Sequence, residues 1–267
     1  MTEFDRLRDV VRRLRAPDGC SWDRDQTNPS LAPAIIEEAY EVADAIRAGD
    51  DVNLCEELGD LLMVILMHAQ IAEGAGRFTI EEALRGVTDK LVRRHPHVFG
   101  TSDARDSGAV LKQWDAIKRD EKKNPDTHYL ADIPMSLPAL MRAQKVQTKA
   151  ARVNFDWTNI ADVVAKVDEE LAEVKEAMRA SDTDAVADEI GDLLFAVTNL
   201  ARKSELAAEM VLQAATDKFI QRFDELEDRV RQNGDKLGTL DLGQLDEIWD
   251  ALKRDRARIT QATPSQP

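Results

Sequence analysis

The chain has 267 residues and a formal net charge of −15; 43% of its residues are hydrophobic, 33% charged and 5% aromatic. That composition supplies a core, favours helices over strands, and argues against direct nucleic-acid binding, because an acidic surface repels a phosphate backbone. Cys20 and Cys55 show no CxxC or Cys/His spacing, the opening MTEFDRLRDVVRRLR has no apolar signal core, and the apolar run from Leu61 to Met67 is too short for a bilayer, so a cytoplasmic location without membrane association is expected.

Ile35, Ile36, Ala39, Val42, Ala43 and Ile46 recur at helical spacing. Gly49, Asp50 and Asp51 stop that helix and start another. On the second helix Leu54, Leu58, Leu61, Leu62, Ile65 and Leu66 leave so little polar surface that deep burial is expected. His68 reads as a core histidine with a hydrogen-bond partner. Lys90 and Arg94 share one helix face, and Pro96 within His95–His97 marks a helix end. Trp114 then heads WDAIKRD, with Lys118 one turn on. Three prolines punctuate the segment KKNPDTHYLADIPMSLPALMRAQK, where Ile133, Leu137, Leu140 and Met141 need cover, so it reads as an ordered connector.

Beyond the connector the pattern begins again. EEAYEV at Glu37 matches EELAEV at Glu169, and EELGDLL at Glu56 matches DEIGDLL at Asp188, both at an offset of 132. DKLVRR at Asp89 matches DKFIQR at Asp217, and WDAIKRD at Trp114 matches WDALKRD at Trp249. In the second copy Ser181 to Asp184 takes the place of the Gly49 break. The chain is therefore expected to be an all-α tandem repeat: a domain over 1–122, the connector over 123–149, a second domain over 150–257, and a disordered tail over 258–267. Two helices joined by a short loop pack antiparallel.

Charge is costly on an apolar helix unless it is paired or bound to metal. Glu57 and Asp60 lie about 60° apart on one helix face, as do Glu38 and Glu41 on the preceding helix. Glu170, Glu173, Glu189 and Asp192 repeat the set, with Glu169 standing where Glu37 stands. In the first copy the positions that would carry basic i+4 partners are Val42, Ala45, Leu61 and Val64. Unpaired like charges that converge across an antiparallel hairpin point to a hard divalent cation, Mg²⁺ or Mn²⁺. Such ions, with Lys and Arg nearby, suit phosphoryl chemistry. Lys218 and Arg222, like Lys90 and Arg94, are placed to contact phosphates. Trp249 with Lys253, like Trp114 with Lys118, is placed to stack a base and reach a phosphate, the alternative being a packed Trp with a solvated basic edge.

Two copies of E-E-x-x-E followed by E-x-x-D, with WDRDQT from Trp22 upstream and RRHPHVF from Arg93 downstream, resemble the MazG family of nucleoside triphosphate pyrophosphohydrolases. The resemblance spans nearly the whole chain, connector included. It implies all-α bundles built by homodimerisation, and Mg²⁺-dependent hydrolysis of nucleoside and deoxynucleoside triphosphates, broadly, to monophosphate and pyrophosphate. Matched residue by residue, it implies Glu170, Glu173, Glu189 and Asp192 as metal ligands. It also implies Lys166, Lys218, Arg222, Trp249 and Lys253 as nucleotide contacts. One departure is Cys20-Ser21-Trp22-Asp23, where the family commonly has Cys-Pro-Trp-Asp. A narrower pyrophosphatase for dUTP, dCTP or phosphoribosyl-ATP shares the carboxylate scheme, and a non-catalytic nucleotide-binding scaffold is the alternative of another class. Glu169 adjoins the ligands without being needed as one, so it is the candidate general base. Lys166 shares a face with Glu170, while the first copy has Ala34 at that position, so the C-terminal half is expected to carry most of the activity.

Overall fold

The computed structural model describes residues 1–121 and 128–262, the side chains of Arg119 and of 255–262 excepted. Residues 122–127, which include the expected start of the connector, and 263–267 of the expected tail lie outside the described residues. The described residues form twelve helices and no strand, and fall into two compact units, Met1–Pro125 and Asp126–Pro267.

In the first unit, α1 (Glu3–Leu14) and α2 (Ser21–Asp25) precede a long hairpin of α3 (Asn28–Ala48) and α4 (Asp51–Gly74). The hairpin turn is written in two residues. Gly49 takes a left-handed conformation at φ 66° that closes α3, and the Asp50 carboxylate accepts the Val52 and Asn53 N–H groups that open α4. A capping box at Thr27 and Ser30 fixes the start of α3, and another at Thr79 and Glu82 starts α5 (Ile80–Arg94). Val11 of α1 joins Leu31, Leu66, Met67, Ala69 and Ile80 in one core cluster, which clamps α1 and α5 onto α4. Burying each large side chain of this kind contributes about 1.5–3 kcal/mol. After the short α6 (Pro96–Phe99), α7 (Ser107–Glu121) packs on α5.

The second unit opens with part of the connector. Ile133 is buried, Leu137 and Leu140 are half-buried, and Met141 stays exposed. Its helix α8 (Ala139–Ala151) packs on α10 (Thr183–Lys203) and α11 (Ala208–Gln232). Gln147 donates to the Phe195 carbonyl at 2.8 Å, and Gln144 accepts the Ala208 N–H at 2.8 Å, so polar side chains of the connector hold two later helices. The hairpin of α9 (Ile160–Ala180) and α10 turns at Ser181, left-handed at φ 59°, and at Asp182, which accepts the Ala185 N–H. α12 (Leu242–Ala262) packs on α11 around Leu226, Val230 and Leu252, and continues past residue 257.

The expected deep burial of the second helix is corrected. Val64, Leu66, Met67, Ala69 and Ala72 of α4 are buried, but Leu58 is 50% and Ile65 39% exposed. In a single chain α1, α3 and α5 cover one side of α4 and leave the other side, nearest the carboxylates, uncovered.

Candidate active site

The two hairpins position the carboxylates. Glu38 and Glu41 project from α3 and Glu57 from α4, with one oxygen of each within 4.8 Å of the others. Glu170 and Glu173 on α9 and Glu189 on α10 form the same triad, also within 4.8 Å. Asp60 and Asp192 lie outside these tight triads but beside them. Asp60 acts on Glu38 and Glu57 through its charge, and Asp192 lines a hollow with Glu170 and Lys166.

Electrostatics separate the two clusters. Burial pushes the Glu38 carboxyl above its ordinary value, and the charges of Glu41, Asp60, Glu57 and Glu37 add to the shift. Glu57 is raised by burial, then by Glu41, Asp60 and Glu56. Glu173 is raised by burial, then by its hydrogen bond to Glu170 and the charges of Glu170 and Glu189, with Lys166 opposing. These shifts come first from burial and then from like charges held together. In the second cluster Lys166 Nζ lies 2.7 Å from Glu170 and 2.8 Å from Glu169, which hold the lysine firmly in its charged form. Glu170 is 5% exposed, whereas Glu169 is open to solvent. At the position of Lys166 the first cluster has Ala34. Donor chemistry fits a hard divalent ion at both places, since each offers three converging carboxylates.

The basic and aromatic residues gather elsewhere. Arg222 of α11 stands 5.0 Å over the Trp249 ring of α12, and Phe219 lies 5.2 Å from that ring. In the first unit Arg94 stands 5.1 Å over Trp114, whose edge meets His95 at 4.8 Å. Trp249 also packs against the cluster of Leu226, Val230 and Leu252, so one side of it is core. Lys253 pairs with Asp250 at 3.1 Å, Lys218 is exposed, Lys90 is half-buried, and Lys118 is engaged with a neighbour. Of the helices, α12 packs mainly on α11 and α7 mainly on α5, so each Trp turn is joined to the helix that bears its arginine.

His68 has a partner as expected, with Asn28 Nδ2 2.8 Å from its Nδ1, although its Nε2 is buried without one. Sequence reasoning missed the hollow's apolar wall of Trp157, Val163, Phe195 and Ala196, and the buried Asn199. A signal existed for part of it. Phe195 and Asn199 lie three and seven residues after Asp192, on its helical face, and the first repeat has Met63 and Met67 there. Trp157 comes from the loop before α9, and no periodicity announces it.

Comparison with known proteins agrees with this architecture. The family model for the MazG nucleotide pyrophosphohydrolase domain matches twice, over residues 26–99 and 159–226, which contain both hairpins. The chain is 46% identical over 258 residues to the nucleoside triphosphate pyrophosphohydrolase of Escherichia coli K12, covering 95% of this chain and 98% of that protein. It is 42% identical over 250 residues to the nucleoside triphosphate pyrophosphohydrolase/pyrophosphatase MazG of Thermotoga maritima, covering 94% and 95% respectively. It is 41% identical over 260 residues to the uncharacterized protein YabN of Bacillus subtilis, covering 96% of this chain and 53% of that one. No helix among the described residues is long and apolar enough to cross a membrane. With both carboxylate hairpins inside the matched segments and relatives aligned end to end, the chain belongs to the MazG nucleotide pyrophosphohydrolase family, in a tandem form.

Proposed function

We propose that the chain hydrolyses nucleoside triphosphates to monophosphate and pyrophosphate with Mg²⁺ or Mn²⁺, over a broad range of bases. The observation that carries this is the duplicated carboxylate triad, with charges that repel one another until a cation joins them. Glu170, Glu173, Glu189 and Asp192 would hold the ion in the second unit, and Glu38, Glu41, Glu57 and Asp60 in the first. When bound, the ion neutralises the carboxylates and stabilises charge developing on phosphate oxygens. Glu169 is placed to accept the proton of the attacking water, since it flanks the triad and its exposed carboxylate is not required as a ligand. Lys166, already at the cluster, exchanges a carboxylate oxygen for a phosphate oxygen. Lys218, Arg222 and Lys253 supply further positive charge to the phosphates, and Trp249 offers a face to the base. The C-terminal site carries most of the turnover because Lys166 has no counterpart at Ala34.

A homodimer is part of the same reading. Ile36, Ile46 and Leu58 of the first hairpin and Ile190, Leu194 and Val197 of the second are each more than 40% exposed, on the helices that bear the carboxylates. Exposed apolar side chains on these helices suit an interface, and a second copy would close the bundle over the ions. A cytoplasmic location suits the free thiols of Cys20 and Cys55. The test is Mg²⁺-dependent pyrophosphate release across a panel of ribo- and deoxyribonucleoside triphosphates. Release from one base alone supports the narrower pyrophosphatase, and no release from any supports the scaffold.

A further inference from the structure

The two repeats part company one residue after their shared motif. Aligning Trp114 with Trp249 sets Glu121 opposite Arg256 (256 − 121 = 135), and aligning Lys90 with Lys218 sets Arg93 opposite Gln221 and Arg94 opposite Arg222. The changes are paired: an arginine and an acid in one copy, a glutamine and an arginine in the other.

In the first unit both arginines close on the acid. Arg93 Nε lies 2.6 Å from Glu121 Oε1, and Arg94 Nε and Nη2 lie 3.0 and 2.5 Å from Oε2. The Arg94 side chain is 11% exposed and that of Glu121 20%, while Arg93 is 54% exposed, so the cluster is covered at Arg94 and open to solvent at Arg93. Two guanidiniums converging on one group, Arg94 with two nitrogens on one oxygen and Arg93 on the other, is a geometry suited to an oxyanion such as phosphate. The arginines, Arg94 foremost, hold the Glu121 carboxyl down to about 2, so the seat keeps its anion at any physiological pH.

The second unit has the same indole and the same arginine, at 5.0 Å against 5.1 Å in the first, without the acid. There Arg222 Nε is buried and has no hydrogen-bond partner among the described residues, whereas its counterpart Arg94 Nε donates to Glu121. A buried charged donor left unpaired is unfavourable, so this position is built for an acceptor that the described residues do not supply.

We propose that Glu121 is an internal stand-in for a substrate phosphate: its carboxylate fills the anion seat of Arg93, Arg94 and Trp114, and thereby leaves the triphosphate to the equivalent Arg222–Trp249 seat of the second repeat. Glu121 is thus a specificity-determining residue that selects between two repeats of one chain. The inference rests on the reading of Arg222 as a phosphate contact. It is independent of the Lys166 difference, which acts at the carboxylates.

The experiment counts seats for inorganic tripolyphosphate on the full-length chain by calorimetry in chelator. The wild-type chain should bind one per chain, and Arg222→Ala should abolish it. Glu121→Gln should add a second seat, retained in the Glu121→Gln/Arg222→Ala double variant. Arg93→Gln/Glu121→Arg copies the second repeat's own pair and should also open the first seat. If wild type binds no tripolyphosphate, or binds it regardless of Arg222→Ala, the phosphate reading of that seat is wrong. If wild type binds at Arg222 but both Glu121 variants, folded as wild type, still show one seat, the stand-in role is overturned and Glu121 merely fastens α7 to α5.

Discussion

Glu38, Glu41 and Glu57 on one hairpin, and Glu170, Glu173 and Glu189 on the other, bring their oxygens within the same 4.8 Å. What surrounds them differs. Lys166 bonds to Glu169 and Glu170 at the second cluster, and Ala34 stands at its place in the first. Among the described residues Arg222 Nε has no acceptor, where Arg94 Nε has Glu121. Beside the second cluster Phe195 and Asn199 line a hollow at positions held by Met63 and Met67 in the first repeat. A duplicated carboxylate triad can therefore keep its geometry while the groups around it diverge.

The largest expected effect is a matched removal of ligands. Glu173→Ala should lower pyrophosphate release by more than about a hundredfold, beyond the ~10–100-fold usual for outer-shell partners of a metal. Glu41→Ala should change it little. Equal losses, with helix content intact in both, would erase the distinction between the repeats. Next in size, Lys166→Ala should reduce kcat/KM by up to about a hundredfold, because a charged hydrogen bond is worth one to two decades. Should Lys166→Ala remain fully active, the lysine serves only to neutralise Glu169 and Glu170. Lys253→Ala should cost about tenfold and Lys118→Ala less. Indistinguishable kinetics for the first would leave the Trp249 turn as packing on α11.

The smallest effect concerns stability. Glu121 has a folded pKa of about 2 against an ordinary 4.5, owing first to Arg94 and then to Arg93. A depressed carboxyl contributes stability above its unfolded pKa and loses it as pH falls through the folded one. Glu121→Gln should therefore melt below wild type at pH 6, and the gap should close between about pH 4.5 and 2. A gap that stays constant with pH would mean that the ion pair does not stabilise the first unit.

Much of this was legible beforehand. The Gly49–Asp50 and Ser181–Asp182 turns follow from local chemistry, and the carboxylate pairs follow from helical spacing. Both are short-range properties that a sequence displays directly. The exposure of Leu58 and Ile65 was not legible, because periodicity shows that a face is apolar and not which element covers it. Trp157 reaches the hollow from a loop, by tertiary contact alone. The exchange of Glu121 for Arg256 stood in plain view. It gained meaning only when the structure set Glu121 against Arg93 and Arg94.

The central claim is that the carboxylate clusters serve divalent-ion-dependent cleavage between the α- and β-phosphates. Product analysis of one nucleoside triphosphate with the purified chain, with Mg²⁺ and then with chelator, tests it most directly. Monophosphate and pyrophosphate in equal amounts, absent in chelator, is the predicted result. Diphosphate with inorganic phosphate, or turnover that survives chelation, would contradict it.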